Sequence, residues 1–313
     1  MILITRRVMC ISLNSWIRIW VILEINTLCF CAILKTHERS IKSIIEARIK
    51  YFVIQSVSSA LLIIFVITRK IPKRYLAFFS RARLLTLMLK IAASPFHIWF
   101  VSITKHMKWK NATILMTWQK LAPVLLLIHQ AKLILFIYVI LSALVGAISQ
   151  IRKKVVMEVI AFSSVFNLRW IMAATLISTK VLMLYLTMYW STVVFMIHTI
   201  NSTKMKSLEK ETKEGNNKWV NFAVLLNLAG IPPLAGFLSK WLVFSEISTE
   251  NHLMIVTVLL IIRSVNLYIY IRIINFDTLT KRASTQKSPT PKTQTTKISI
   301  AMLTLLPLPL ATF

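Results

Sequence analysis

Four ionisable side chains lie within stretches that are otherwise long and apolar: Glu24, Lys90, Lys120 and Lys240. A charged group near the middle of a membrane-spanning helix is costly, so several in one chain indicate a route for ions or protons. A buried acid and a buried amine hold each other charged, and separating them changes the proton affinity of both. The pattern therefore predicts that this chain moves protons across a membrane.

The composition describes what surrounds these charges. Of the 313 residues, 57% are hydrophobic, and the mean hydropathy is +0.70. Such a chain is too apolar for a soluble protein of this length. Its apolar blocks of about 20 residues match the helix length that crosses about 30 Å of hydrocarbon. Helices are favoured over strands because each span must satisfy its own backbone groups in lipid.

The predicted fold is an all-α, polytopic transmembrane helical bundle of about eleven helices, antiporter-like and with broken helices, in a single domain over residues 1–313. Residues 1–13 are predicted to form a shortened first helix, and residues 277–297 a polar linker before the last helix. The other spans are predicted at 15–34, 49–67, 84–102, 111–130, 133–149, 155–177, 181–200, 219–247, 253–275 and 297–313.

The loops carry most of the basic residues. Successive loops lie on alternate sides of the membrane, and one of the two sets is richer in Lys and Arg: 35–48, 103–110, 152–154, 203–218 and 277–297. The positive-inside rule places this set on the matrix or cytoplasmic side. The basic loop 68–83, on the other side, runs against this trend. Because the net charge of +28 is spread over both faces, membrane lipids such as cardiolipin are better partners for it than nucleic acid.

Two of the lysines are followed closely by a proline. Pro95 comes five residues after Lys90, and Pro123 three residues after Lys120. Since proline removes a backbone donor, each lysine is expected beside a loosened turn that water can reach. The span that carries Lys240 contains two glycines and two prolines within residues 230–236. This predicts a helix broken into halves, as at the ion sites of transporters.

Each of these residues has a structural alternative. A lysine in an apolar span can extend its ammonium group to the membrane interface, and this alternative fits Lys240, nearer the end of its span, better than Lys90 or Lys120. For Glu24 the alternative is a purely structural role as a hydrogen-bonding group. His97 can be a packed histidine or a possible proton relay, and the sequence favours neither.

The sequence contains no recognisable redox or nucleotide site. Cys10, Cys29 and Cys31 form no C-x-x-C pair and are too few to ligate an iron–sulfur cluster. No Walker loop, G-x-G-x-x-G or H-E-x-x-H pattern is present. We therefore expect the chain to bind no metal or cofactor of its own.

Several motifs together resemble the subunit 2 family of mitochondrial NADH dehydrogenase. In chain order they are Trp16-x-x-x-Trp20-x-x-Leu-Glu24-x-Asn26, Ile49-Lys50-Tyr51-Phe52-x-x-Gln55, Lys90-x-x-x-x-Pro95-Phe96-His97-x-Trp99, Thr117-Trp118-Gln119-Lys120-Leu-Ala-Pro123, Ala161-Phe-Ser163-Ser164 and Gly230-Ile-Pro232-Pro233-Leu-x-Gly236-Phe-Leu-x-Lys240-Trp241. The resemblance covers most of the chain.

The resemblance implies an antiporter-like membrane-arm subunit of respiratory complex I, the proton-translocating NADH:ubiquinone reductase of the mitochondrial inner membrane. The implied complex contains NADH, ubiquinone, FMN and Fe-S clusters, and the other membrane-arm subunits are the partners. By the same resemblance Glu24 pairs with Lys90, Lys120 is the central relay, and Lys240 lies towards the far end of the hydrophilic axis. A stand-alone cation/proton antiporter subunit is the alternative.

Four arginines stand where the resemblance leads us to expect small residues: Arg18, Arg48, Arg169 and Arg263. Where the family usually has histidine, this chain has Asn167, and Ser239 replaces a common proline. Many invertebrate mitochondria read the codon AGA as serine and AUA as methionine. The hypothesis that such a code applies here predicts serine at the four arginine positions.

Overall fold

A computed structural model of the chain describes residues 16–34, 41–67, 76–128, 132–151, 153, 155–202, 226–231, 234–249 and 253–279. Eleven α-helices lie in this part of the chain. They are α1 (Trp16–Ile33), α2 (Ile41–Ile67), α3 (Leu76–Ile91), α4 (Ile98–Thr104), α5 (Trp109–Met116), α6 (Trp118–Leu127), α7 (Lys132–Ile151), α8 (Val156–Ile177), α9 (Thr179–Ser202), α10 (Ala235–Thr249) and α11 (Leu253–Leu279). The predicted all-α class is confirmed.

Five helical stretches in the described ranges are long and apolar enough to cross a membrane: Trp16–Ile33, Lys42–Ile67, Ile134–Ile151, Val156–Ile177 and Thr179–Asn201. The predicted helices at 1–13 and 297–313 lie outside the described residues. The polar linker was placed too early, because α11 continues to Leu279.

The loop prediction for residues 68–83 is wrong in its second half. Helix α3 begins at Leu76 and includes Arg81 and Arg83. The Arg83 guanidinium carbon lies 5.4 Å from the centre of the Trp16 ring, so this charge rests on an aromatic face. The loop at 35–48 likewise ends early, since α2 begins at Ile41. Arginines that belong to a helix should not be counted as loop charges in the orientation rule.

The described helices form two compact units. The first contains α1 to α6, α7 up to Gly146, and α8 from Ala161 to Leu176. In it, α1 packs on α2, α2 on α3 and α4, and α6 on α3 and α5. The second contains the rest of α7 and α8 together with α9 to α11, and there α10 packs on both α9 and α11. The single domain over 1–313 stays a prediction.

Helix α2 buries several polar side chains and exposes several apolar ones. The side chains of Ser58 and Ser59 are fully buried, whereas Val57 is 50% exposed and Ile64 is 52% exposed. This is the reverse of a water-soluble helix, and it suits a helix with lipid on one side and a polar interior on the other. The inner face of α2 therefore brings polar groups to the site.

Three breaks interrupt the helical spans. The first runs from Ala92, which has a left-handed φ of 63°, to His97 and contains Pro95. The second lies at Thr117, between α5 and α6. The third follows a helical turn at residues 226–229 and includes Gly230, with φ of 78°. The first and third were predicted, whereas the second lies before Lys120 rather than at Pro123.

Candidate functional site

Glu24 lies half-buried on α1 and bonds to the inner face of α2. Its Oε1 accepts a hydrogen bond from Ser59 Oγ. Its Oε2 accepts one from Thr27 Oγ1 at 3.3 Å. Trp20 Nε1 also donates to the Ser59 carbonyl at 3.0 Å. The carboxylate is thus held by hydroxyl donors, which stabilise its charge away from water.

Lys90 lies in the last turn of α3 and is only 5% exposed. Its Nζ donates to the Gln55 carbonyl oxygen at 3.3 Å. In return, Gln55 Nε2 donates to the Lys90 carbonyl oxygen at 3.3 Å. The ammonium group therefore points into the helical bundle and not towards an interface.

The predicted Glu24–Lys90 pair is not a direct contact. Among the described residues no ion pair of 4.0 Å or less joins the two groups. They bond instead to Ser59 and Gln55, which are one turn apart on α2. Glu24 still attracts the Lys90 ammonium through Coulomb interaction. The functional coupling of Glu24 with Lys90 stays a prediction.

Lys120 lies on α6 and is 3% exposed. Its Nζ donates to Ser164 Oγ at 3.3 Å and to the Ser164 carbonyl oxygen at 3.4 Å. The same Nζ lies 4.8 Å from the centre of the Phe100 ring. A hydroxyl, a carbonyl and an aromatic face are each able to stabilise an ammonium group that has left water.

One small cavity in the first unit is lined by both Lys90 and Lys120. Its walls also carry the polar side chains of Asn26, Gln55 and Gln119. The cavity volume is about 20 Å³, which is room for roughly one water molecule, and its polar groups can hold that water.

Lys240 lies in the second unit, on α10, and is 4% exposed. Its Nζ donates to the Leu228 carbonyl oxygen. Leu228 belongs to the helical turn before the break, where carbonyl groups lack intrahelical partners and the helix dipole is negative. Asn227 Oδ1 accepts a hydrogen bond from the Gly236 N–H at 2.7 Å and so ties the turn to α10.

The three buried lysines share one kind of acceptor. Each Nζ donates to a main-chain carbonyl oxygen, those of Gln55, Ser164 and Leu228. Neutral acceptors of this kind do not change their own protonation state near neutral pH, unlike a carboxylate. The protonation of each lysine is therefore not locked to that of the group it bonds.

Residues 73–265 match the family described as NADH:quinone oxidoreductase/Mrp antiporter, transmembrane. NADH-ubiquinone oxidoreductase chain 2 of Anopheles gambiae is 32% identical over 273 residues, covering 84% of this chain and 80% of that protein. The protein of the same name from Osphranter robustus is 30% identical over 320 residues, with 95% and 91% covered. The chain belongs to the NADH-ubiquinone oxidoreductase chain 2 family.

Solved structures agree with the antiporter-like fold of this family. A chain of respiratory complex I from Thermus thermophilus with bound aureothin superposes with a TM-score of 0.76 at 20% identity, over 94% of this chain and 73% of that one. A chain of the Mrp complex from Dietzia sp. gives a TM-score of 0.73 at 16% identity, over 90% and 58%. These likenesses confirm the predicted fold.

His97 and Glu158 lie away from the cavity lining. His97 is half-buried, and the centre of its ring lies 6.0 Å from that of Phe162. Glu158 stands in the first turn of α8, with Oε2 at 3.3 Å from Lys153 Nζ. A relay role for His97 stays a prediction.

Of the four arginines in question, Arg169 is the most deeply placed. Its guanidinium carbon lies 3.7 Å from the centre of the Phe166 ring and 5.3 Å from that of Trp170, and the side chain is fully buried. Arg18 is exposed, and Arg48 and Arg263 are half-buried. A position at which the resemblance leads us to expect a small residue thus holds a large cation in the core.

The pattern of charges alone does not identify the polar residues that bond these groups. Ser59, Gln55 and Ser164 bond the predicted groups directly, and Asn26 and Gln119 complete the cavity. Asn26, Gln55, Gln119 and Ser164 stand in the family motifs, whereas the only signal for Ser59 is a polar side chain within an apolar span. Within the described ranges no three His, Cys, Asp or Glu side chains group as a metal site; that the chain binds no cofactor stays a prediction.

Proposed function

We propose that this chain is a membrane-arm subunit of mitochondrial NADH:ubiquinone oxidoreductase, respiratory complex I, and takes part in proton translocation coupled to electron transfer. Its family membership supports the place in the complex. The observation that carries the mechanism is the cavity shared by Lys90 and Lys120. The chain is multi-pass in the mitochondrial inner membrane, in keeping with its family and with the five described helices that are long and apolar enough to cross a membrane.

Proton movement begins in this proposal with a change at Glu24. When a neighbouring charge alters the hydrogen bond between Glu24 and Ser59, the attraction of Glu24 for Lys90 changes too. At a few ångströms in a partly dry interior, the coupling of such charges is several kcal/mol, enough to change proton affinity substantially. Lys120 is the central relay, and Lys240 continues the route towards the far end.

The other components of the reaction lie outside this chain in the proposal. NADH, FMN, Fe-S clusters and ubiquinone belong to the complex, and this chain supplies protonatable groups and no redox centre. Its partners are the other membrane-arm subunits and membrane lipids, cardiolipin among them, because the net charge of +28 favours anionic headgroups. Nucleic acid is not a partner.

A stand-alone cation/proton antiporter subunit is the second candidate, and the likeness to the Mrp complex favours it. The two functions differ in their assemblies. Isolation of the chain in a large assembly that oxidises NADH and reduces ubiquinone supports the first. Isolation apart from such an assembly, with exchange of sodium for protons in vesicles, supports the second.

The role of Lys120 is tested by Lys120→Met in the assembled complex reconstituted into vesicles. Proton uptake per NADH oxidised is expected to fall, because methionine fills similar space and carries no proton. Lys110→Met is the matched control, since Lys110 is exposed at the start of α5. Unchanged proton uptake in Lys120→Met contradicts the assignment.

A further inference from the structure

Asn26 and Gln119 form a buried amide pair in the wall of the cavity. Asn26 Nδ2 donates to Gln119 Oε1 at 2.7 Å. The two residues are 6% and 9% exposed. The bond joins α1 to α6, two helices far apart in sequence.

The position of the pair connects the two parts of the site. Asn26 lies two residues after Glu24 on α1, a rise of about 3 Å along the helix, and Gln119 directly precedes Lys120 on α6. Both amides line the cavity into which Lys90 also projects. A shift of α1 against α2 at the Glu24–Ser59 bond therefore moves Asn26 relative to Gln119.

The backbone around Gln119 is loosened on both sides. Helix α5 ends at Met116, and Thr117 separates it from α6. Four residues after Gln119, Pro123 has no N–H to donate to the Gln119 carbonyl. Fewer backbone bonds hold this segment than hold a regular helix, so its side chains can change partners at lower cost.

Resting on the proposed proton-translocating function, we propose that the Asn26–Gln119 pair is a gate for water between Lys90 and Lys120. While the pair is closed, Asn26 Nδ2 donates to Gln119 Oε1, and neutral amides do not take up protons near neutral pH. When the pair opens, its donor and acceptor groups bind water instead. The cavity, with its volume of about 20 Å³, then gains polar groups that hold a continuous water path.

The transfer through the open gate conserves all atoms. The Lys90 ammonium gives a proton to the bridging water, and that water gives a proton to the neutral Lys120 amine. One O–H bond forms as another breaks, so the water is regenerated. Positive charge passes from Lys90 to Lys120, and closing the amide pair prevents its return.

The decisive experiment exchanges the two amides in the assembled complex. Asn26→Gln and Gln119→Asn each misplace one amide by a methylene group, and each is expected to lose the same share of proton uptake per NADH as Lys120→Met. The double variant restores the summed side-chain length and is expected to recover that loss. Normal uptake in both single variants, or no recovery in the double variant, overturns the gate.

Gln119→Glu is a second variant for the case in which the single exchanges do not assemble. It keeps the size of the side chain and the oxygen that accepts from Asn26, but adds a group that takes up protons. The pH profile of proton uptake is expected to gain one titration, and an unchanged profile overturns the gate. If Lys120→Met itself pumps normally, the proposed function fails; if only the Asn26 and Gln119 variants pump normally, the gate alone fails.

Discussion

A methyl group added at Gly230 is expected to displace the Lys240 side chain without altering its charge. In Gly230→Ala the new Cβ would lie 2.9 Å from Lys240 Cδ and 3.0 Å from Lys240 Nζ. The backbone at this position also has a left-handed φ of 78°, which alanine adopts only with strain. The substitution therefore perturbs the third break and the lysine beside it.

The size of the effect follows from two contributions. Left-handed strain costs alanine about 1–2 kcal/mol. Loss of the hydrogen bond from the charged Lys240 Nζ to the Leu228 carbonyl adds about 1.5–3 kcal/mol. Together they destabilise the native arrangement of the break by about 2.5–5 kcal/mol, and each 1.4 kcal/mol is a factor of about ten in its population.

The assay compares Gly230→Ala in the natural chain and in a Lys240→Ala background. In the natural chain, the thermal stability of the assembled complex and its proton uptake per NADH are both expected to fall. In the Lys240→Ala background the methyl group no longer meets Cδ or Nζ. The backbone strain of about 1–2 kcal/mol and the close approach to the Gly236 carbonyl oxygen, at 3.1 Å, remain. Full proton uptake in Gly230→Ala, or an equal loss of stability in both backgrounds, refutes this account of Lys240.

Two further predictions concern α8. Ser164→Ala removes the hydroxyl that accepts from Lys120 at 3.3 Å. At about 1.5–3 kcal/mol for a hydrogen bond to a charged group, proton uptake is expected to slow roughly ten- to a hundredfold, whereas the neighbouring control Ser163→Ala has a smaller effect. Equal rates in the two variants would contradict the assignment. Peptide mass spectrometry over residues 161–180 is expected to find serine at the position of Arg169, because a fully buried guanidinium is costly in a membrane helix. Arginine at this position would refute the hypothesis that the codon AGA is read as serine.

The fold was predictable because the spans repeat a length set by the bilayer. The prediction failed where charge was taken to mean loop: Arg81 and Arg83 are helical, and arginine stems can lie along a helix while the charged end reaches a polar or aromatic surface. The break at Thr117 was also missed, since nothing in the residue type marks it. Proline and glycine, by contrast, identified the breaks beside Lys90 and Lys240.

The site was predictable in its charges and not in its contacts. An ionisable residue in an apolar span is rare enough to be noticed, so Lys90 and Lys120 were identified before any geometry was known. Which polar residue reaches each of them depends on how the helices rotate against each other. For this reason the Asn26–Gln119 bond, which joins distant helices, required coordinates.

The main-chain acceptors of the three lysines have a consequence for sequence drift. Every amino acid supplies a carbonyl oxygen, so substitutions at Gln55, Ser164 or Leu228 alter a side chain and leave the anchor of each ammonium group in place. Relatives that share only 28–32% of their residues with this chain can therefore preserve these anchors by preserving helix paths. Divergence at Gln55 or Leu228 therefore leaves the main-chain acceptor in place as long as the backbone does not move, whereas Ser164 also supplies a hydroxyl to Lys120.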